Sequence, residues 1–145
     1  MTPRPDFVIR SPDDRTLLIV EAKTRVNASA EWAAQLRRNL VVNGVLPPAP
    51  YFLLALPDKF FLWKHQESRH AVLPDYEFDA EEVLRPYAAS LGFPLDSLSG
   101  ASFEWVVRLW LDDLVRGDGL EQPRWLRVSG LDEQLKDAVV SAQAA

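Results

Sequence analysis

The sequence predicts an α/β fold: a central mixed β-sheet of about four strands, flanked by helices and carrying a helical C-terminal extension. Three observations predict it. Over residues 5–64, short β-branched runs and one helical pattern follow the order strand, strand, helix, strand, strand. Pro- and Asp-containing turns separate the paired runs. Residues 76–145 read as mainly helical. The chain has 145 residues, enough for a single domain with one core. With 48% hydrophobic residues, five Trp and seven Phe, it has the composition of a folded globule.

The elements follow in order. Phe7-Val8-Ile9-Arg10 and Leu17-Leu18-Ile19-Val20 flank Ser11-Pro12-Asp13-Asp14-Arg15. Pro presets φ and Asp tolerates tight backbone geometry, so a β-hairpin is expected, ending in Glu21-Ala22-Lys23. The second strand is apolar on both faces, as in a sheet covered on both sides. A helix follows from about Ser29 to Asn43, with Ser29 as N-cap, Glu31 near the positive end and Asn43-Gly44 as the stop. Trp32, Leu36 and Leu40 supply its expected buried stripe. Strands are expected at Tyr51 to Leu56 and Phe60 to Lys64, around Pro57-Asp58-Lys59.

In the second half, Asp79-Ala80-Glu81-Glu82 opens a helix to about Leu91, bent or broken at Pro86. Ser102 to Arg116 forms another, closed by Gly117 and apolar around much of its circumference. Such a helix is deeply buried or lies at a subunit contact, which makes it the candidate interface of a homodimer. A last helix is expected over Leu131 to Ala142.

Composition narrows function. There is no cysteine, which excludes a disulfide scaffold and thiolate metal sites and fits a reducing cytoplasm. No apolar run reaches the roughly 20 residues of a membrane span, and the first residues lack the apolar stretch of a secretory signal. A cytoplasmic protein with no membrane partner is the expectation. The net charge is −5, so any nucleic-acid binding rests on local basic clusters, metal ions or a partner.

The chemistry lies at the end of the first hairpin. Side chains alternate along a strand, so Glu21 and Lys23 share a face. If the turn centres on Asp13-Asp14, facing residues have numbers summing to 27, and Asp6 falls opposite Glu21. A slip of one residue would dissolve the pair. Two carboxylates this close repel unless a cation sits between them. Mg²⁺ or Mn²⁺ takes such hard oxygen ligands, with the Ala22 carbonyl a third candidate. Lys23 would orient or deprotonate a water, or stabilise a pentacovalent transition state.

Pro5-Asp6, fourteen residues, then Glu21-Ala22-Lys23 resembles the motif of the PD-(D/E)XK nuclease superfamily, which includes restriction endonucleases. The resemblance covers residues 5–64. It implies a restriction-endonuclease-like core, with Asp6 and Glu21 on metal, Lys23 catalytic, and DNA as substrate, RNA not being excluded. A helix after the motif often carries a Gln in that family; Gln35 matches, at the edge of the apolar stripe and able to look toward the site. The family also has a helix, often with another acidic residue, and a strand ahead of the Asp, whereas five residues precede Asp6 here. The alternative is a catalytically inactive relative serving as a binding or assembly module, which the acidic balance and short N-terminus favour.

Asp6, Glu21 and Lys23 can form a solvated strand end with a salt bridge. Arg25, Arg37 and Arg38 could meet phosphates, but a solvated helix face is the favoured reading. His65 and His70 sit five apart in a loop, a poor ligand spacing. Trp105 and Trp110 interleave with aliphatics and read as core or dimer contact, while Trp125, between Arg124 and Arg127, is the weak candidate for a nucleic-acid contact.

Overall fold

The computed structural model describes residues 5–64, 70–92, 94–117 and 124–142. Six strands form one mixed sheet: β1 (Phe7–Arg10), β2 (Thr16–Ala22), β3 (Tyr51–Ala55), β4 (Lys59–Lys64), β5 (Tyr76–Asp79) and β6 (Val139–Ala142). Their spatial order is β5-β4-β3-β2-β1-β6. Only β2 and β3 run parallel, and the helix α1 (Ala30–Val42) joins them as a crossover. The other pairs are antiparallel, so the sheet is mixed as expected but two strands wider.

The first hairpin has the register that the turn chemistry requires. Phe7 faces Val20, Val8 faces Ile19 and Ile9 faces Leu18, with a bulge at Arg10. Asp14 takes a left-handed φ of 66°, the conformation a short turn needs and Asp tolerates. Of the two central strands, β3 is buried throughout and β2 from Leu17 to Ala22, so their apolar runs fill two cores at once. One core joins Leu18, Val20, Leu53 and Leu62 to Phe103, Val107 and Trp110 of α3 (Gly100–Arg116). The other joins Val8, Ile19, Leu54 and Phe61 to Ala28 and Ala33 under α1.

Helix α1 starts at the Ser29 cap, whose side chain accepts from the Trp32 N–H, and ends at Asn43. Its buried line differs from the expected stripe. Ala33, Ala34 and Arg37 are buried, while Trp32, Leu36 and Leu40 are half-buried beside them. Small alanines let the helix approach the sheet closely, which turns the larger side chains to the flanks. Arg37 is therefore not part of a solvated face: its guanidinium lies over the Trp63 ring, and burial lowers its pKa while the Asp75 charge opposes this. Arg38 is exposed.

In the second half, α2 (Ala80–Ala89) starts at the Asp79 cap and continues through Pro86. Helix α3 ends at Gly117, whose φ of 71° closes the last turn. Its apolar circumference is used within the chain, because seven of its residues are buried in the core. The expected helix over Leu131 to Ala142 stops early. Helix α5 covers Leu131–Leu135, Asp137 turns left-handed at φ 62°, and the β-branched Val139 and Val140 enter β6. An open edge on β1 outcompetes a lone helical turn for these residues. Helix still makes up most of the described residues from 76 on, but β5 and β6 also come from this part of the chain. Trp125, on the short helix α4 (Arg124–Val128), is buried and stacks on Phe78 at 4.4 Å, so it is a core residue and not a nucleic-acid contact. His70 is exposed; His65 lies outside the described residues. No described helix is long and apolar enough to cross a membrane.

Candidate functional site

One step beyond Phe7 and Val20, the β1–β2 ladder brings Asp6 and Glu21 together. The Asp6 N–H donates to Glu21 Oε1 at 2.9 Å, and the Ala22 N–H donates to Asp6 Oδ2 at 2.8 Å. Each carboxylate is thereby tied through one oxygen to the opposite strand's backbone. Lys23 Nζ stands 3.6 Å from Glu21 Oε2. Its own N–H donates to Ala55 O, which extends the parallel pairing past Ala22 and fixes the strand end. The side chain of Glu21 is only 4% exposed, whereas that of Lys23 is 45% exposed. A buried carboxylate therefore meets a solvent-facing amine.

The electrostatics follow from that burial. Desolvation first, then the Asp6 charge, push the Glu21 carboxyl up to about 7, against the pull of Lys23 and the Asp6 N–H. Two like charges share a site with too little positive charge to hold both ionised. The helix α3 places a further carboxylate within electrostatic range of the pair. Burial and the Asp6 charge raise the pKa of Glu104, and Lys23 opposes the shift, so this side chain lies within electrostatic reach of both. Helix α3 packs on β2 and β6.

Among the expected site residues, Asp6, Glu21, Ala22 and Lys23 come together. Gln35 does not join them: it is exposed on α1, and no hydrogen bond links it to the cluster. The shift of the buried line to Ala33, Ala34 and Arg37 is the reason, since it turns position 35 outward. Glu104 escaped the sequence reading because it sits 83 positions beyond Glu21 with no motif around it. Arg25, two residues past Lys23, lies over the Trp32 ring at 4.5 Å from its centroid. A cleft of about 610 Å³ opens elsewhere, lined by Arg37, Trp63 and the proline-rich segment 47–50, and neither Asp6, Glu21 nor Lys23 lines it.

No family model, curated protein or solved structure matches this chain. Its chemistry has to be read from its own geometry. Among the described residues, no group of three or more His, Cys, Asp or Glu is disposed to hold a metal ion. What the hairpin offers is a two-carboxylate set with Asp6 Oδ1 and Glu21 Oε2 outside the backbone hydrogen bonds. That number of carboxylates fits Mg²⁺, which keeps several waters and substrate oxygens in its shell. The raised Glu21 pKa fits as well, because a divalent cation removes the repulsion that disfavours the ionised pair.

Proposed function

We propose that this protein is a metal-dependent nuclease of the PD-(D/E)XK type, hydrolysing DNA phosphodiesters. The observation that carries the reading is the reciprocal pairing of Asp6 and Glu21 across β1 and β2, with the Lys23 amine 3.6 Å from Glu21. Three residue types placed by one hairpin match the needs of that reaction.

Asp6 and Glu21 would hold Mg²⁺ or Mn²⁺, with the Ala22 carbonyl as a further donor. Such an ion supplies Lewis-acid chemistry, polarising a phosphoryl oxygen and acidifying a water. Lys23, half-exposed beside the buried Glu21, contributes a cationic donor that orients the attacking water or takes up charge on the phosphorane. The backbone hydrogen bonds to both carboxylates keep them from swinging away, so their free oxygens are preorganised.

The topology supports the same reading. The family's strand and acidic helix ahead of the Asp have spatial counterparts that come later in this chain. β6 pairs antiparallel with the free edge of β1, and α3 sets Glu104 within electrostatic range of the pair. The parallel β2–α1–β3 crossover agrees with the helix and strand expected after the Glu-Ala-Lys segment.

The experiment is cleavage of supercoiled plasmid with Mg²⁺ or Mn²⁺, together with calorimetric metal titration. The wild type nicks DNA; Lys23→Ala lowers the rate at least about a hundredfold while still binding Mn²⁺. Asp6→Ala abolishes metal binding. A wild type that neither cleaves nor takes up metal ends the proposal.

A further inference from the structure

Past the end of β2, the chain between Lys23 and Asn27 is tied down at two points. The Lys23 N–H donates to Ala55 O at 3.0 Å, and the Asn27 N–H donates to Asp58 Oδ2 at 2.9 Å. Both acceptors belong to the end of β3 and the turn that follows it. Asn27 takes a left-handed φ of 58°, just before the Ser29 cap of α1.

Arg25 lies between those two anchors. Its guanidinium carbon stands 4.5 Å from the centroid of the Trp32 ring, in the first turn of α1. Trp32 is half-buried against the core that contains Ile19, Ala33 and Phe61. Backbone and ring together hold an exposed side chain that would otherwise sample many rotamers. A guanidinium over an aromatic face keeps its edge donors for an anion. Arg25 forms no ion pair among the described residues, although Arg10, Arg15, Arg85, Arg108 and Arg116 each meet an acidic side chain. With 21 acidic residues against 16 basic ones, carboxylates are not scarce in this chain.

The carboxylate pair lies on the same face of the sheet. Ile19 packs in the core under α1, and alternation puts Glu21 and Lys23 on the Ile19 side of β2. Trp32 packs on that same core, so the guanidinium above it stands on the α1 side as well. Two residues of extended chain span at most about 7 Å, which makes Lys23 and Arg25 close neighbours. Lys23 is engaged at Glu21, 3.6 Å from Oε2. Arg25 is the cation beside it whose fork meets no carboxylate.

We propose that Arg25 binds the phosphate adjoining the one that is cut, and that Trp32 is its positioning residue. This rests on the nuclease reading and adds a substrate contact to it. The test measures fluorescence anisotropy of a labelled 15-base-pair duplex in EDTA, where nothing is cut, over a series of salt concentrations. Arg25→Ala weakens binding roughly tenfold at about 50 mM salt and lowers the salt slope by about 1, as loss of one phosphate contact requires. Arg25→Lys keeps the slope and recovers part of the affinity, because the charge stays and the fork is lost. Trp32→Ala weakens binding about threefold, Trp32→Phe restores most of it, and Trp32→Ala costs nothing more in the Arg25→Ala background. General damage to α1 would instead add in either background. A wild type that does not bind, an unchanged salt slope in Arg25→Ala, or additive losses in the double variant overturns the proposal. Plasmid cleavage reports separately. Cleavage by a protein whose salt slope ignores Arg25 keeps the nuclease reading and removes this contact; Arg25-dependent binding without cleavage sinks the nuclease reading and leaves Arg25 as a phosphate contact.

Discussion

Replacing Glu21 with Gln is expected to stabilise the metal-free protein, although the residue is buried and hydrogen-bonded. In the folded chain the Glu21 carboxyl titrates at about 7, against an ordinary value of 4.5. The folded state therefore binds this proton more tightly than the unfolded state. The contribution favours folding below about pH 4.5 and is lost as pH rises through about 7. Above that, holding the ionised side chain in place costs about 3 kcal/mol, with little solvent screening to discount at 4% exposure. Gln keeps the shape and the acceptor for the Asp6 N–H but carries no charge. At about pH 8 in EDTA, Glu21→Gln should raise the urea midpoint by roughly 1 M or more, read from tryptophan fluorescence, and the two curves should converge below about pH 5. Saturating Mg²⁺ should narrow the gap from the other side, stabilising wild type by about 2.7 kcal/mol at a hundredfold excess over Kd and the variant far less. A variant less stable than wild type at pH 8 would show that Glu21 carries its charge without strain, and the case for a waiting cation would lose its physical basis.

Two further outcomes follow from the packing around α3. Glu104→Gln, on an exposed helix face, should change stability by under about 0.5 kcal/mol yet weaken Mn²⁺ binding about tenfold by calorimetry; unchanged affinity would detach α3 from the site. Trp110 is 1% exposed and packs on Phe60 at 5.2 Å between ring centroids. Trp110→Ala should cost about 3–5 kcal/mol in urea unfolding. Trp110→Phe should cost under about 1.5 kcal/mol, because it also removes an indole N–H that is buried without a hydrogen-bond partner.

Geometrically, the site rests on how narrowly the hairpin turn restricts register. A bulge at Arg10 absorbs one residue and leaves Phe7 against Val20, so the acids still meet. One residue of slip on either side would place Asp6 beside an aliphatic neighbour instead. The hydrogen bonds that the two carboxylates accept at 2.9 and 2.8 Å act as a clasp on that register, linking site geometry to strand pairing. In the proposed nuclease, metal binding and hairpin stability would be coupled through the same two side chains.

Local chemistry determined the parts of this protein that adjacent residues decide. Turn residues Pro12 to Asp14 dictated the hairpin, alternation put Glu21 and Lys23 on one side, and Ser29 and Asn43 bounded α1. Even β5 had a readable signal, since Tyr76-Glu77-Phe78-Asp79 alternates half-buried and exposed. Tertiary structure decided what depends on competition between distant segments. Val139 to Ala142 became a strand because β1 had an unpaired edge, and no local propensity encodes that vacancy. Which residues of α1 touch the sheet was set by how closely Ala33 and Ala34 allow approach, which turned Gln35 outward and Arg37 inward. Glu104 reached the carboxylate pair only because α3 folds back onto β2, a contact across most of the chain whose stabilisation comes from buried area and not from any pattern near residue 104.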